Sequence, residues 1–236
     1  MRRRVATITL NPAYDLVGLS TPIELGEVNR VTTAGFHAAG KGINVAKVLK
    51  SLGIDVTVGG FLGKENQDGF QKEFSEAGIA NRFQMVEGRT RINVKLTEPN
   101  GKVTDFNFSG FEITKQDWTR FVNDTLSWAG QFDMICVSGS VPPSIDLNDF
   151  TAWMKRLRSE CMCLIFDSSR EAFVAGLKAL PWLVKPNHHE LEIWAGRPLP
   201  ELSDVVQAAH ELRQQGIAHV VISLGEQGAM WVNASG

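Results

Sequence analysis

The sequence predicts an α/β protein: a mostly parallel central sheet with helices on both faces, plus a small β lid. Three observations predict it. Short β-branched apolar runs alternate with segments of about 10–15 residues that carry helical periodicity, the rhythm of successive βα units. Glycine and polar residues gather where those runs end, the edge on which open α/β sheets bind ligands. Two segments, about 16–38 and 91–109, break the rhythm with β patterning of their own and are read as the lid of a single unit spanning 1–236.

Val5–Leu10 is β-branched and reads as the first strand. Asn11-Pro12-Ala13-Tyr14-Asp15 follows as a turn, which leaves Asp15 just beyond that strand's carboxyl end. Residues 16–38 hold β-rich pieces such as Val28–Thr33 and read as irregular strands. Ala39-Gly40-Lys41-Gly42-Ile43-Asn44 then opens a helix closed by Gly53, with Val45, Val48, Leu49 and Leu52 at i, i+3, i+4 and i+7 as its apolar face. Flexible backbone and a lysine at a helix N-terminus favour an anion, and a phosphate is the expected one.

Val56–Leu62 is a second buried strand, 66–78 a helix with Phe70, Phe74 and Ala77 in register, and Asn81–Val86 a short strand. Arg91–Thr97 alternates strictly, with Ile92, Val94 and Leu96 on one face, and Asn100-Gly101 is a hairpin turn signal. Thr114-x-x-Asp117 starts a helix like a capping box, and Trp118, Phe121, Val122, Thr125 and Leu126 form its core stripe. Further βα units follow: strands at Phe132–Val137, Cys161–Phe166, Leu183-Val184 and His219–Leu224, with helices near 147–160, 170–179 and 204–215 and a short helix after the Lys185–Glu190 stretch. Ala229–Asn233 reads as a hairpin partner of the last strand.

Composition narrows the function. With 43% hydrophobic and 21% charged residues, 236 residues supply an ordinary globular core. A net charge of −2 gives no footprint for nucleic acid, and Arg2-Arg3-Arg4 is too short to serve as a basic arm. No run reaches the roughly 20 apolar residues a bilayer span needs, and no leader pattern is read, so a cytoplasmic location is expected. Cys136, Cys161 and Cys163 are odd in number and lack partners at metal-ligand spacing. They read as reduced thiols, Cys161 and Cys163 on one face of a strand.

Six stretches together identify a family. Thr9-Leu10-Asn11-Pro12-Ala13-x-Asp15, Ala39-Gly40-Lys41-Gly42-Ile43-Asn44-Val45-Ala46 and Ser138-Gly139-Ser140-x-Pro142-Pro143 come first. Asp167-Ser168-Ser169, Lys185-Pro186-Asn187-x-x-Glu190 and Ser223-Leu224-Gly225-x-x-Gly228-Ala229 follow in the family's order. The chain resembles the ribokinase-like (PfkB) sugar kinases throughout its length, nearest to the branch that acts on fructose 1-phosphate.

The resemblance implies a three-layer ribokinase-like sandwich and transfer of the ATP γ-phosphoryl group to fructose 1-phosphate, giving fructose 1,6-bisphosphate. Tagatose 6-phosphate and fructose 6-phosphate are the alternative substrates. Asp15 and Asn44 would bind sugar hydroxyls, and Lys41, Arg91, Ser140 and the Gly40 backbone the phosphate already on the sugar. Lys185, Asn187, Glu190, Ser223, Gly225 and Gly228 would serve ATP, with Glu190 reaching Mg²⁺ through water. A homodimer through the lid is the expected assembly, with no nucleic acid or membrane partner.

The family's general base sits in a Gly-Ala-Gly-Asp element after the Ser-Leu-Gly strand, and these 236 residues contain no G-x-G-D. The resemblance therefore implies a C-terminally truncated kinase whose base lies beyond Gly236, with no catalytic residue assigned within the chain. Two other readings stand beside it: a truncated sugar-phosphate binder or dimerisation partner, and a chain that folds poorly because a sheet edge is uncovered.

Overall fold

β1 (Arg4–Thr9) lies inside an eight-stranded sheet, between β4 (Asp55–Gly63) and β8 (Met134–Ser138). The computed structural model describes residues 3–235, so Arg2 of the arginine cluster lies outside them. Beyond β4 stands β5 (Ala80–Val86); beyond β8 stand β9 (Leu164–Asp167), β10 (Leu183–Val184), β11 (His219–Ser223) and β12 (Ala229–Val232). All neighbours pair in parallel except β11 with β12. The chain fills one side of β1 first and then crosses to the other, so the strand order reverses between β1 and β8. That reversal opens a crevice at the carboxyl ends of the two strands.

Among the described residues seven α-helices cover the sheet: α1 (Lys41–Ser51), α2 (Asp68–Ala77), α3 (Lys115–Ala129), α4 (Leu147–Glu160), α5 (Arg170–Leu177), α6 (His188–Ala195) and α7 (Leu202–Gln214). The pleat of β4 sorts them. Val56, Val58 and Leu62 join the cluster holding Ile43 and Ala46 of α1 and Phe70 and Phe74 of α2. Phe61, on the opposite face, joins Phe121, Trp153, Phe173, Leu191 and Leu212 from α3 to α7. The expected helices on both faces are present, but the coverage is unequal. On β9 to β11 the face opposite that large cluster leaves Ile165, Leu183 and Val221 only half-buried.

Most elements fall where the periodicity puts them. Thr114 Oγ1 accepts from Asp117 N at 3.1 Å and closes the expected capping box. Trp153 Nε1 donates to Thr125 Oγ1 at 2.9 Å, which explains a threonine in the core stripe of α3.

Two readings of the main sheet and its helices are corrected. Of the expected apolar face of α1, Val45, Val48 and Leu52 point outward, 37%, 59% and 70% exposed, while Leu49 packs against the core and Gly42, Ile43 and Ala46 face the sheet. The cause is close packing: a Cβ on Gly42 would stand 2.6 Å from Thr9 Oγ1, so the smallest residue has to face β1. Cys161 and Cys163 do not share a strand. Cys161 N donates to Leu157 O at 2.9 Å and caps α4, and β9 begins only at Leu164.

The lid is a second sheet of four strands, β3-β2-β6-β7. β2 (Ala13–Ser20) and β3 (Val31–Ala39) pair antiparallel with a register shift between Val17 and Gly18, in keeping with the irregular strands expected there, and reach beyond 16–38 to Ala13 and Ala39, with 28–30 outside β3, while β6 (Arg91–Thr97) and β7 (Val103–Asn107) form the hairpin. Asp15 therefore lies within a strand and not in a turn, because β2 is held by β3 on one side and β6 on the other. One apolar row crosses all four strands in register: Phe36 opposite Leu16, Leu16 opposite Val94, Val94 opposite Phe106. Phe36 and Phe106 at its ends are 53% and 47% exposed. Leu10, Asn11 and Pro12 join β1 to the lid, and Gly40 alone joins the lid to α1.

Candidate active site

A cavity of about 520 Å³ occupies the crevice where the strand order reverses. Thr9 and Asn11 line it from the end of β1, Gly139 and Ser140 from the end of β8, and Gly40, Lys41 and Asn44 from the start of α1. The lid roofs it with Asp15, Arg91, Asn93, Lys95 and Asn107, the polar alternates of the face that carries the apolar row. All six residues expected to hold the sugar phosphate (Asp15, Gly40, Lys41, Asn44, Arg91 and Ser140) thus border one space.

The start of α1 is built to receive an anion. Gly40 has φ 148° and ψ 143°, and no side chain caps the helix, which leaves its first N–H groups without side-chain acceptors. Lys41 Nζ lies 3.0 Å from Asp167 Oδ1, and Lys185 Nζ 3.3 Å from Oδ2 of the same carboxylate. Asp167 is buried at the end of β9, its carbonyl accepting from Gly139 N at 2.9 Å. One carboxylate therefore joins a lysine of the sugar-side cavity to a lysine at the end of β10.

Arg91 leans over the cavity on backbone carbonyls, donating from Nη2 to Asn11 O at 3.2 Å and from Nε to Pro12 O at 3.4 Å. Burial holds its guanidinium below the ordinary value, with the charge of Asp15 acting in the opposite direction. Asp15 accepts from Asn93 Nδ2 at 3.3 Å and has Lys95 at 3.8 Å. Asn93 Oδ1 is buried with no donor, a lone acceptor beside a space large enough for a polyol. Asn11 Nδ2 donates to Ser140 Oγ at 3.1 Å and fixes that hydroxyl.

The residues expected to serve the nucleotide lie apart from this cavity, at the ends of β10 and β11. Asn187 bridges to Ser223 across those ends. Asn187 Oδ1 accepts from Glu190 N at 2.7 Å, and Glu190 Oε2 accepts from Asn187 N at 2.9 Å, a reciprocal cap on α6. Glu190 is only 8% exposed, yet its Oε1 has no protein donor among the described residues. Gly225 and Gly228, at φ 60° and 90°, hold the tight turn between β11 and β12. Among the described residues no three or more His, Cys, Asp or Glu cluster as a metal cage, and no helix is long and apolar enough to cross a membrane.

The sequence reading missed Asn93, Lys95, Asn107 and Arg170 as cavity residues. Asn93 and Lys95 were visible in principle, since they alternate with Arg91 on one face of the hairpin. Asn107 depends on the β7 register and Arg170 on the backbone after β9, and neither leaves a periodic signal.

A polar cavity at the switch point of a parallel sheet, with a carboxamide–carboxylate helix start on the neighbouring strand ends, is the layout of an ATP-dependent sugar kinase of ribokinase-like fold. The comparisons with known proteins agree. The pattern of the pfkB family carbohydrate kinases matches residues 5–236, and the chain belongs to that family. It is 77% identical over 236 residues to 1-phosphofructokinase of Escherichia coli K12, covering 100% of this chain and 76% of that protein. It is 50% identical over 232 residues to 1-phosphofructokinase of Haemophilus influenzae, covering 98% and 74%. Phosphofructokinase-2 of E. coli, solved in complex with fructose-6-phosphate, superposes with a TM-score of 0.90 at 27% identity, covering 100% of this chain and 78% of that one. A carbohydrate kinase of this family draws its phosphoryl group from ATP and commonly works with a divalent metal.

Proposed function

We propose that this chain binds fructose 1-phosphate in the switch-point cavity for ATP-dependent phosphorylation to fructose 1,6-bisphosphate. The observation that carries the reading is the single space bordered by Asp15, Lys41, Asn44, Arg91 and Ser140. Asp15 and Asn44 take the sugar hydroxyls. Lys41, Arg91, Ser140 Oγ and the amide groups after Gly40 take the resident phosphate, a division suited to a planar guanidinium fork and a helix start. Names carried by relatives at 77% and 50% identity support fructose 1-phosphate over its isomers.

ATP lies across the ends of β10 and β11, on Lys185, Asn187, Glu190, Ser223, Gly225 and Gly228. One free carboxylate oxygen at Glu190 fits a magnesium ion that keeps most of its waters, and the metal supplies charge neutralisation on the phosphates when bound. The protein's own share is orientation and exclusion of water beneath the lid. The resemblance gives the general base to the family's Gly-Ala-Gly-Asp element, a motif these 236 residues do not contain, so no base is assigned within them. The apolar row Phe36–Leu16–Val94–Phe106 supports a homodimer through the lid, and the cytoplasm is the proposed location.

A coupled kinase assay with fructose 1-phosphate, fructose 6-phosphate and tagatose 6-phosphate tests the reading. It compares the 236-residue chain with one extended by the relatives' remaining stretch. The expected result is turnover of fructose 1-phosphate by the extended chain and saturable binding without turnover by the shorter one. Preference for another sugar, or robust turnover by the 236 residues, overturns the substrate or the base assignment respectively.

A further inference from the structure

Arg170 is the first residue of α5 and adopts φ +55°, the left-handed region that residues with side chains rarely occupy. An outlier of this kind is kept only where the surroundings hold it, and such outliers cluster at ligand sites. The position fits that pattern, because Arg170 lines the switch-point cavity beside Lys41, Arg91 and Ser140. It forms the wall between that cavity and a shallower hollow along α4 and α5.

Its charge is the second observation. Four cationic side chains border the cavity. Lys41 is held by Asp167, Lys95 stands near Asp15, and Arg91 donates to the carbonyls of Asn11 and Pro12. Among the described residues Arg170 alone of the four has no hydrogen-bond or ion-pair partner. A guanidinium has five donors in a fixed fork and is matched by a carboxylate or a phosphate. The acidic residues bordering this cavity and its floor are already engaged: Asp15 with Asn93 and Lys95, Asp167 with two lysines. Arg170 is solvent-exposed, so water serves its donors in the empty cavity and an anionic ligand is the acceptor it can exchange that water for. Lys185, Asn187 and Glu190 do not line this cavity, so the anion that Arg170 meets is on the sugar side.

We infer that Arg170 is a second guanidinium for the phosphate already on the sugar, closing on it from α5 while Arg91 closes from the lid. This residue then sets the preference for phosphorylated over free sugar. The inference rests on the sugar-phosphate reading above and deepens it. The left-handed backbone at Arg170 places the residue at the cavity's edge before the ligand arrives.

Isothermal titration calorimetry on the 236-residue chain tests it, using fructose 1-phosphate, fructose and inorganic phosphate as titrants. The proteins are the unmodified chain, Arg170→Gly, Arg170→Lys and Lys41→Ala. Glycine takes this φ without strain, so Arg170→Gly folds as well as the parent, and a thermal melt checks it. The expected result is fructose 1-phosphate binding at least about 10-fold weaker in Arg170→Gly, the scale of a lost hydrogen bond to a charged group. Arg170→Lys falls between, and the response to fructose is unchanged. Parent-like binding by Arg170→Gly, with Lys41→Ala weakened, removes Arg170 from the site and leaves the sugar-phosphate reading standing. Equal weakening toward fructose and fructose 1-phosphate also overturns the inference. No saturable fructose 1-phosphate binding by the unmodified chain overturns the sugar-phosphate reading, and this inference with it.

Discussion

The Lys41 ammonium lies 3.0 Å from Asp167 Oδ1, a pair that ties the start of α1 to the end of β9 across the switch point. The partner Lys185 shares the carboxylate at 3.3 Å, so one buried negative charge offsets two lysines, each nearly half exposed. Asp167→Asn leaves both lysines without that counter-charge. The cavity then becomes more positive, and fructose 1-phosphate is expected to bind about threefold or more tightly at low ionic strength. The difference should shrink toward 1 M salt, where screening acts within roughly 3 Å. Because the lysines are solvated, the stability loss stays near 1 kcal/mol or below. Calorimetry at two salt concentrations checks both signs, and unchanged or weaker binding at low salt contradicts the account.

Asn187 and Glu190 have a structural duty that can be separated from a role at the metal. Asn187→Ala removes the cap acceptor of α6 and is expected to cost about 1 kcal/mol in urea unfolding. Glu190→Gln keeps an oxygen for the Asn187 N–H and removes the charge. Its stability should change by about 0.5 kcal/mol or less, while the magnesium dependence of ATP binding is lost. A Glu190→Gln protein with parent-like magnesium dependence would confine Glu190 to capping.

Burial pushes the Cys136 thiol up to about 11, with the Ser138 hydrogen bond only partly offsetting it. The folded state therefore keeps a proton that the unfolded chain releases near pH 9. Bound protons in the folded state exceed those in the unfolded state between about pH 9 and 11, so stability falls as pH rises through that window. The Cys136 contribution is roughly 2–3 kcal/mol at its limit. Cys136→Ser or Cys136→Ala should flatten the alkaline side of the stability curve measured by denaturant unfolding. A slope identical to the parent's would assign the alkaline loss to other groups.

The row Phe36–Leu16–Val94–Phe106 should carry the dimer. Phe106→Asp places a charge at an exposed end of the row and is expected to convert a dimer into a monomer in light-scattering chromatography. The strands pair through backbone bonds that this change leaves in place, so the circular dichroism spectrum should not move. A parent chain that elutes as a monomer at micromolar concentration would end the lid-dimer proposal.

Much of this architecture was legible because it is periodic. Val205, Ala208, Ala209 and Leu212 fell on the buried face of α7, and the β6–β7 hairpin was readable from Asn100-Gly101 and strict alternation. The failures have separate causes. At α1 the larger side chains mark the solvent side, because Gly42 must face Thr9, and a hydrophobic pattern cannot register a contact made by an absent side chain. Cys161 opens an apolar run directly after the helix end read at 160, and only the bond from its N–H to Leu157 O shows that it caps α4 while β9 waits until Leu164. Arg170 was invisible for a third reason: its significance lies in a backbone angle and in a missing partner.

The connection through Gly40 has a mechanical consequence. Half of the lid sheet, β2 and β3, is spliced into the chain between β1 and α1, and a single residue separates β3 from the lysine at the helix start, while β6 and β7 enter between β5 and α3. Gly40 cannot be lengthened by a side chain, since a Cβ there would stand 2.8 Å from Thr9 Cγ2. Gly40 is therefore a pivot shared by the β2–β3 half of the lid and the helix start that borders the cavity. Whatever loads the lid's outer face and whatever fills the cavity beneath act on the same pivot, and by linkage each must shift the other's equilibrium by the same factor.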